Sequence, residues 1–193
     1  FGVPEENILV WDRSSRELEA AGFRLNNSAN NGWRCFGTDA PGVGYESETV
    51  EFGAIGSCYT RILTRLDTLI NIPVLKDHGL AGISCSLKNH YGSIHNPNKY
   101  HDNLCDPYVA DVNLHPDIKN KTRLIIGDAL RVQYHGGPGF KPEYNLNYSK
   151  LLFGRDPVAL DFVGYQEIEK LRQKNALPSL VQEKRYPKYL DTA

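Results

Sequence analysis

The sequence predicts an α/β protein, a mostly parallel or mixed sheet with helices on both faces that lacks an amino-terminal strand-helix segment. Three observations carry this. Short apolar runs alternate with stretches of helical spacing, which implies a sheet with helices packed on it. With 193 residues, 40% hydrophobic and 23% charged, the chain can bury roughly two-thirds of its unfolded surface. Its first strand-like run follows Phe1-Gly2-Val3-Pro4 at once, as if the chain began inside a fold.

The elements follow in order. Residues 7–11 form a strand, Asp12 is the candidate cap of a helix over 14–21, Gly22 ends it, and Phe23-Arg24-Leu25 opens a second strand. Residues 26–48, rich in Asn and Gly, predict a long irregular stretch, which at that length signals a binding loop, a lid or disorder. Residues 67–75 have the apolar continuity of a central strand, with Pro73 the misfit because it lacks an amide donor. That strand hands Lys76, Asp77 and His78 to a helical run over 79–91, the place where open α/β sheets put ligands. A loop over 92–101 carries an Asn96-Pro97 turn signal, and 106–114 is a short helix. Residues 122–128 form a buried strand with Asp128 at its carboxyl end, and His135-Gly136-Gly137-Pro138-Gly139 is a tight turn. Leu151-Leu152-Phe153 is a short strand. Asp156 caps a helix over 157–174 with Pro157 at its first position, and Val158, Phe162, Tyr165, Ile168 and Leu171 form its apolar stripe. The tail after Pro178 is polar and wraps the surface. No repeat or second domain is visible, so residues 1–193 read as one domain, the carboxyl-terminal part of a longer precursor.

Charge and composition exclude several classes. Lys+Arg 22 against Asp+Glu 23 gives a net charge of −1, which argues against gripping nucleic acid or an anionic membrane by bulk charge. No apolar run approaches the ~18 residues of a membrane span. The sequence has no methionine, so Phe1 is not a translation start, and a cleaved export signal would explain that. Cys35, Cys58, Cys85 and Cys105 lie 23, 27 and 20 positions apart, unlike zinc or iron-sulfur spacings, so buried thiols or one or two disulfides remain open. The motifs of nucleoside triphosphatases, dinucleotide enzymes, zincins and serine hydrolases are absent.

What remains is a basic and imidazole cluster: Lys76, His78, Lys88, Asn89, His90, His95 and His101. It reads as an anion or cofactor cradle, with His78 as acid or base and the lysines as charge partners or nucleophile. On a continuous helix His78 and Lys88 would stand roughly 15 Å apart, so only a cofactor-sized ligand or a broken helix could join them. Asp128, Asp156 and Asp161 form an acidic set that could face the same cleft, and Gly137 offers close backbone approach to a ligand. The candidate catalytic residues are therefore Lys76, His78, Lys88 and Asp128. The candidate ligand-binding residues are Asn89, His101, Gly137, Asp156 and Asp161, with His95 and His101 the candidates for an unidentified metal.

Asn71-Ile72-Pro73-Val74-Leu75-Lys76-Asp77-His78, Ser86 to Gly92, Lys99-Tyr100-His101, Gly136-Gly137-Pro138 and Asp156 to Asp161 together resemble the ordered motifs of domain-of-unknown-function family 362. The resemblance covers most of the chain. It implies export by the twin-arginine route, a periplasmic or extracellular location and further sequence ahead of the first unit. Members fused to ferredoxin-like segments carry cysteine runs that this chain lacks. His78, Lys88 and His101 are also similar, in order and partly in spacing, to the nickel-pincer lactate racemase family. There the lysine holds the cofactor and the histidines serve proton transfer and metal ligation.

The expected function is therefore an enzyme-like cleft that binds a small anionic molecule or a metal-containing cofactor. The alternatives are a non-catalytic binding or assembly subunit of a larger extracellular structure, with an assembly partner or a missing amino-terminal fragment, and racemase-like proton transfer on a hydroxy acid.

Overall fold

Strands and helices alternate along the chain in the computed structural model, which describes residues 2–28 and 32–193. Phe1 and residues 29–31, the latter within the predicted 26–48 loop, lie outside the described residues. The chain divides into two units: one within Phe1–Val50, Ser57–Arg65 and Gly92–His95, the other from Glu51–Gly56, Leu66–Tyr91 and Asn96–Ala193. No helix among the described residues is long and apolar enough to cross a membrane.

In the first unit, β1 (Leu9–Asp12) starts two residues later than predicted, and α1 (Ser15–Ala20) follows it. Asp12 does not cap this helix; Asp39 does, accepting the Ser15 amide at 2.7 Å. Gly22 ends the helix at φ +91, as its position predicts. The parallel partner of β1 is β2 (Arg34–Gly37), in register from Leu9↔Arg34 to Asp12↔Gly37, and not residues 23–25, where Phe23 and Leu25 are exposed. The predicted loop thus contains a strand whose Cys35 and Phe36 are buried in the core beside Val43, Tyr59, Ile62 and Ile94. The short strands β3 (Val50–Phe52) and β4 (Ile55–Ser57) pair where the chain passes from one unit to the other.

The second unit is organised by one long strand. The run predicted over 67–75 is broken in two, β5 (Leu69–Asn71) and β6 (Val74–His78). β7 (Gly82–Ser84) follows, then α2 (Ser86–Asn89), α3 (Tyr108–Asp111) and α4 (Pro116–Lys121). Next come β8 (Thr122–Gln133), β9 (Asn145–Gly154) and α5 (Pro157–Lys174). β5 and β6 lie parallel along the same edge of β8, at Asn71↔Ile125 and then Val74↔Asp128. Pro73 causes the break: it has no amide to donate, but its carbonyl accepts the Asp128 amide at 2.7 Å. β9 runs antiparallel along the other edge of β8, from Ile125↔Gly154 to Gln133↔Asn145, so the predicted three-residue strand is one end of a ten-residue one.

The helical run predicted over 79–91 is mostly a hairpin. β7 turns back antiparallel to β6, and only Ser86–Asn89 are α-helical. Gly82 sits at φ +78, and a Cβ there would meet the Arg185 carbonyl oxygen at 2.3 Å, so this turn requires glycine.

α5 covers one face of the sheet, but not with the predicted stripe. Its buried residues include Leu160, Asp161, Gly164, Ile168 and Leu171, whereas Phe162 is exposed. Gly164 sets this rotation, because it faces Leu75, Ile83 and Cys85 where a side chain would not fit. Register turns Ile70, Val74, Leu151 and Phe153 to the opposite face, where all four are exposed. The tail is more than a polar wrapping, since Leu180 and Tyr189 are fully buried. All four cysteines are free thiols; Cys58 is half-buried and the other three are buried.

Candidate functional site

The site is built on α2, a helix of four residues that could not stand alone. Two of its orphan amides are satisfied from a distant element. Asp161 of α5 accepts the Ser86 amide at 2.6 Å and the Leu87 amide at 3.2 Å, and Tyr189 Oη donates to it at 3.4 Å. Burial pushes the Asp161 carboxyl up to about 7, while these bonds hold it down. Predicted as a ligand contact, Asp161 is a remote cap instead: it is fully buried and both its oxygens are taken. Asn89 is spent in a similar way, donating to Asn71 Oδ1 at 2.7 Å, while Asn71 donates to the Ser86 carbonyl at 3.0 Å.

Between Leu87 and Asn89 on α2 stands a buried cation. Lys88 is 7% exposed, its Nζ lies 3.2 Å from His101 Nε2 and 4.1 Å from the Tyr91 ring centroid, and it has no carboxylate partner among the described residues. Desolvation lowers its amine to about 8, and Lys76 adds to the effect. His101 Nδ1 is 3.0 Å from the Pro97 carbonyl, which fixes the proton on Nδ1 and leaves Nε2 as the acceptor facing Lys88. Burial and the nearby Lys88 both lower the His101 ring.

His78 joins the same group. Its ring stacks on that of His101 with centroids 5.7 Å apart, so the hairpin brings together what a continuous helix would separate. The turn also fixes its tautomer, because Nδ1 accepts the amides of Leu80 at 3.2 Å and Ala81 at 3.1 Å. Burial, then Lys88, His101, Lys76 and Arg185, push His78 down to about 3, so it stays neutral in ordinary buffers. Half-buried Lys76 lies on β6 opposite Ser84. The result is two amines and two neutral imidazoles with no acid among them.

Elsewhere the acids are committed. Asp77 accepts the Gly137 amide at 2.9 Å and pairs with Arg185 at 3.0 Å, and Arg185 also donates to the His78 carbonyl at 3.1 Å. Gly137, predicted to approach a ligand, packs backbone on backbone: a Cβ there would lie 1.9 Å from the Asp77 carbonyl oxygen. Asp128 lies in the middle of β8 rather than at its end, and its carboxylate accepts the Leu130 amide at 2.8 Å, with no ion pair to a lysine among the described residues. Asp156 caps α5, accepting the Val158 amide at 2.9 Å and the Ala159 amide at 3.0 Å.

A metal does not fit these side chains. Among the described residues no group of three or more His, Cys, Asp or Glu could hold one. His101 already turns Nε2 to Lys88, and His95 belongs to the first unit, where its ring packs edge-on to Tyr45.

Two neighbours of Lys88 were not legible. Tyr91 lies three residues on, a spacing that could have flagged it, and its hydroxyl donates to the Tyr100 carbonyl at 2.6 Å. Cys105 is buried beside Lys88 and Tyr91, which burial and that contact make a poor acid. It is reached through Asn103, Leu104 and Cys105 at φ 48, 58 and 63, a left-handed turn of non-glycine residues that costs roughly 1–2 kcal/mol each and has no sequence signal.

Comparison with known proteins gives one match. The model of a family described as Domain of unknown function (DUF362) matches residues 29–166. No curated protein and no solved structure matches the chain.

Proposed function

We propose, for a chain that belongs to the Domain of unknown function (DUF362) family, an enzyme-like site that binds a small anionic molecule at Lys88 and exchanges a proton with it. The observation that carries this is a buried amine facing the bare nitrogen of a neutral imidazole, with a second lysine near and no carboxylate paired to it. A buried cation normally has a counter-ion. In this reading an anion from solution takes that place. Because Lys88 titrates near neutrality, it can deliver a proton to the bound molecule or take one from it, with His101 Nε2 next in line. Lys76 adds attraction, and the His78 ring, neutral with its proton on Nε2, can donate a hydrogen bond to the anion.

Titration calorimetry with acetate, lactate and inorganic phosphate tests the reading. Saturable, salt-sensitive binding that disappears in Lys88→Ala and weakens in Lys76→Ala supports it. Binding that is absent, or unchanged in Lys88→Ala, refutes it.

A second reading, proton transfer at the carbon of a 2-hydroxy acid, is favoured by the two stacked imidazoles beside the amine. Its test is deuterium uptake at C2 of lactate in heavy water, followed by proton nuclear magnetic resonance. Uptake that survives in Lys88→Ala would sink it.

A further inference from the structure

Behind α2, within the second unit, lies a cavity of about 270 Å3 that the lysine site does not use. Leu87 lines it, while the next residue, Lys88, turns to His101. Its walls are largely apolar, with Ala110, Ile118 and Val158 beside Leu87.

The polar groups in the walls are mostly spent within the protein. Asn113 Nδ2 donates to the Leu87 carbonyl at 2.9 Å and the Val109 carbonyl at 2.8 Å. Thr122 Oγ1 donates to the Ile118 carbonyl at 2.6 Å, and Asp111, the one acid side chain in the wall, accepts the Ala54 amide at 2.7 Å. Burial lowers His90 to about 4, so its ring is uncharged. Two cations are left. Lys119 and Arg155 line the cavity with exposed side chains and have no ion pair or side-chain hydrogen bond among the described residues.

We infer that this cavity binds a free medium-chain monocarboxylate, its chain against Leu87, Ala110, Ile118 and Val158 and its carboxylate at Arg155 and Lys119. The apolar walls select the chain. The unspent cations select the anion, and Asp111 repels a carboxylate from the inner wall and so turns it toward them. Size sets the length: filled to about three-quarters, a cavity of about 270 Å3 takes a molecular volume of about 200 Å3, that of roughly eight to ten carbons.

The test is titration calorimetry on the whole chain with octanoate, octan-1-ol and octylammonium. Octanoate should bind one-to-one and about tenfold or more tighter than octan-1-ol, the difference a charge-assisted contact makes. The double variant Lys119→Ala, Arg155→Ala changes only exposed side chains, so it should fold and bring octanoate down to the level of the alcohol. Val158→Trp, which fills the cavity, should remove both ligands, whereas Lys88→Ala should leave octanoate binding intact and so separates this site from the lysine site. Octanoate that does not saturate, that binds no tighter than octan-1-ol, or that is indifferent to loss of the two cations overturns the inference.

Discussion

Replacing Lys88 by methionine, which has nearly the same reach and no charge, should stabilise this protein. A fall of the amine from its ordinary 10.5 to about 8 means that holding the charge in the fold costs about 3 kcal/mol. Contacts with His101 and Tyr91 favour the charged form and offset part of that cost. The variant should therefore gain about 2–3 kcal/mol near pH 7, or about 4–12 °C in Tm for a chain of this size. The sign with pH is fixed. Between about 8 and 10.5 the unfolded chain binds more protons at this residue than the folded one, so wild-type stability rises with pH across that window. Methionine has no such slope. The gap between the two proteins should be full below about pH 8 and gone above about pH 10.5. Urea unfolding followed by circular dichroism at several pH values reads this directly. A variant less stable than wild type near pH 7, or a gap that stays constant up to pH 10.5, would refute the account of Lys88 as an uncompensated buried cation.

Other outcomes follow from the same packing. Asp161→Ala strands the Ser86 and Leu87 amides and should cost about 2–4 kcal/mol in urea unfolding. Because burial raises the Asp161 carboxyl from 3.8 to about 7, wild-type stability from this group falls as pH rises across that range, and the variant should lose that slope. Gly137→Ala places a methyl group 1.9 Å from the Asp77 carbonyl oxygen and should cost about 3 kcal/mol or more, visible as a lowered Tm or loss of soluble protein. In a thiol-reagent assay Cys58 alone should react quickly in the native protein, with all four cysteines reacting after unfolding; two fast thiols would contradict the burial of Cys35, Cys85 and Cys105.

The parts of this fold legible in the sequence are those written in local chemistry. Asp156-Pro157 announces the start of α5, Gly22 the end of α1, and Pro73 the weak point of its strand. The lysine cluster was legible as a set of residue types, but its geometry was not. Periodicity cannot distinguish a buried helix from a hairpin over 79–91, and the deciding facts, the room left by Gly82 beside Arg185 and the capture of two amides by His78, are tertiary. The same limit explains Asp161 and Gly137. Each stands out in the sequence as a ligand contact, although what it meets is backbone from a segment far along the chain. β2 escaped because its four residues owe their strand to the edge of β1 rather than to their own pattern.

Arg185 gives the site a timetable. It pins the turn at His78 through the Asp77 carboxylate and the His78 carbonyl, contacts that span 108 and 107 residues of chain. A ribosome that has translated as far as Tyr165 has already incorporated Lys76, His78, Lys88, His101 and the capping Asp161, yet the residue that locks the turn has not been made. The cluster around Lys88 is thus completed late in synthesis, and a nascent chain carries its residues without the contact that pins their turn.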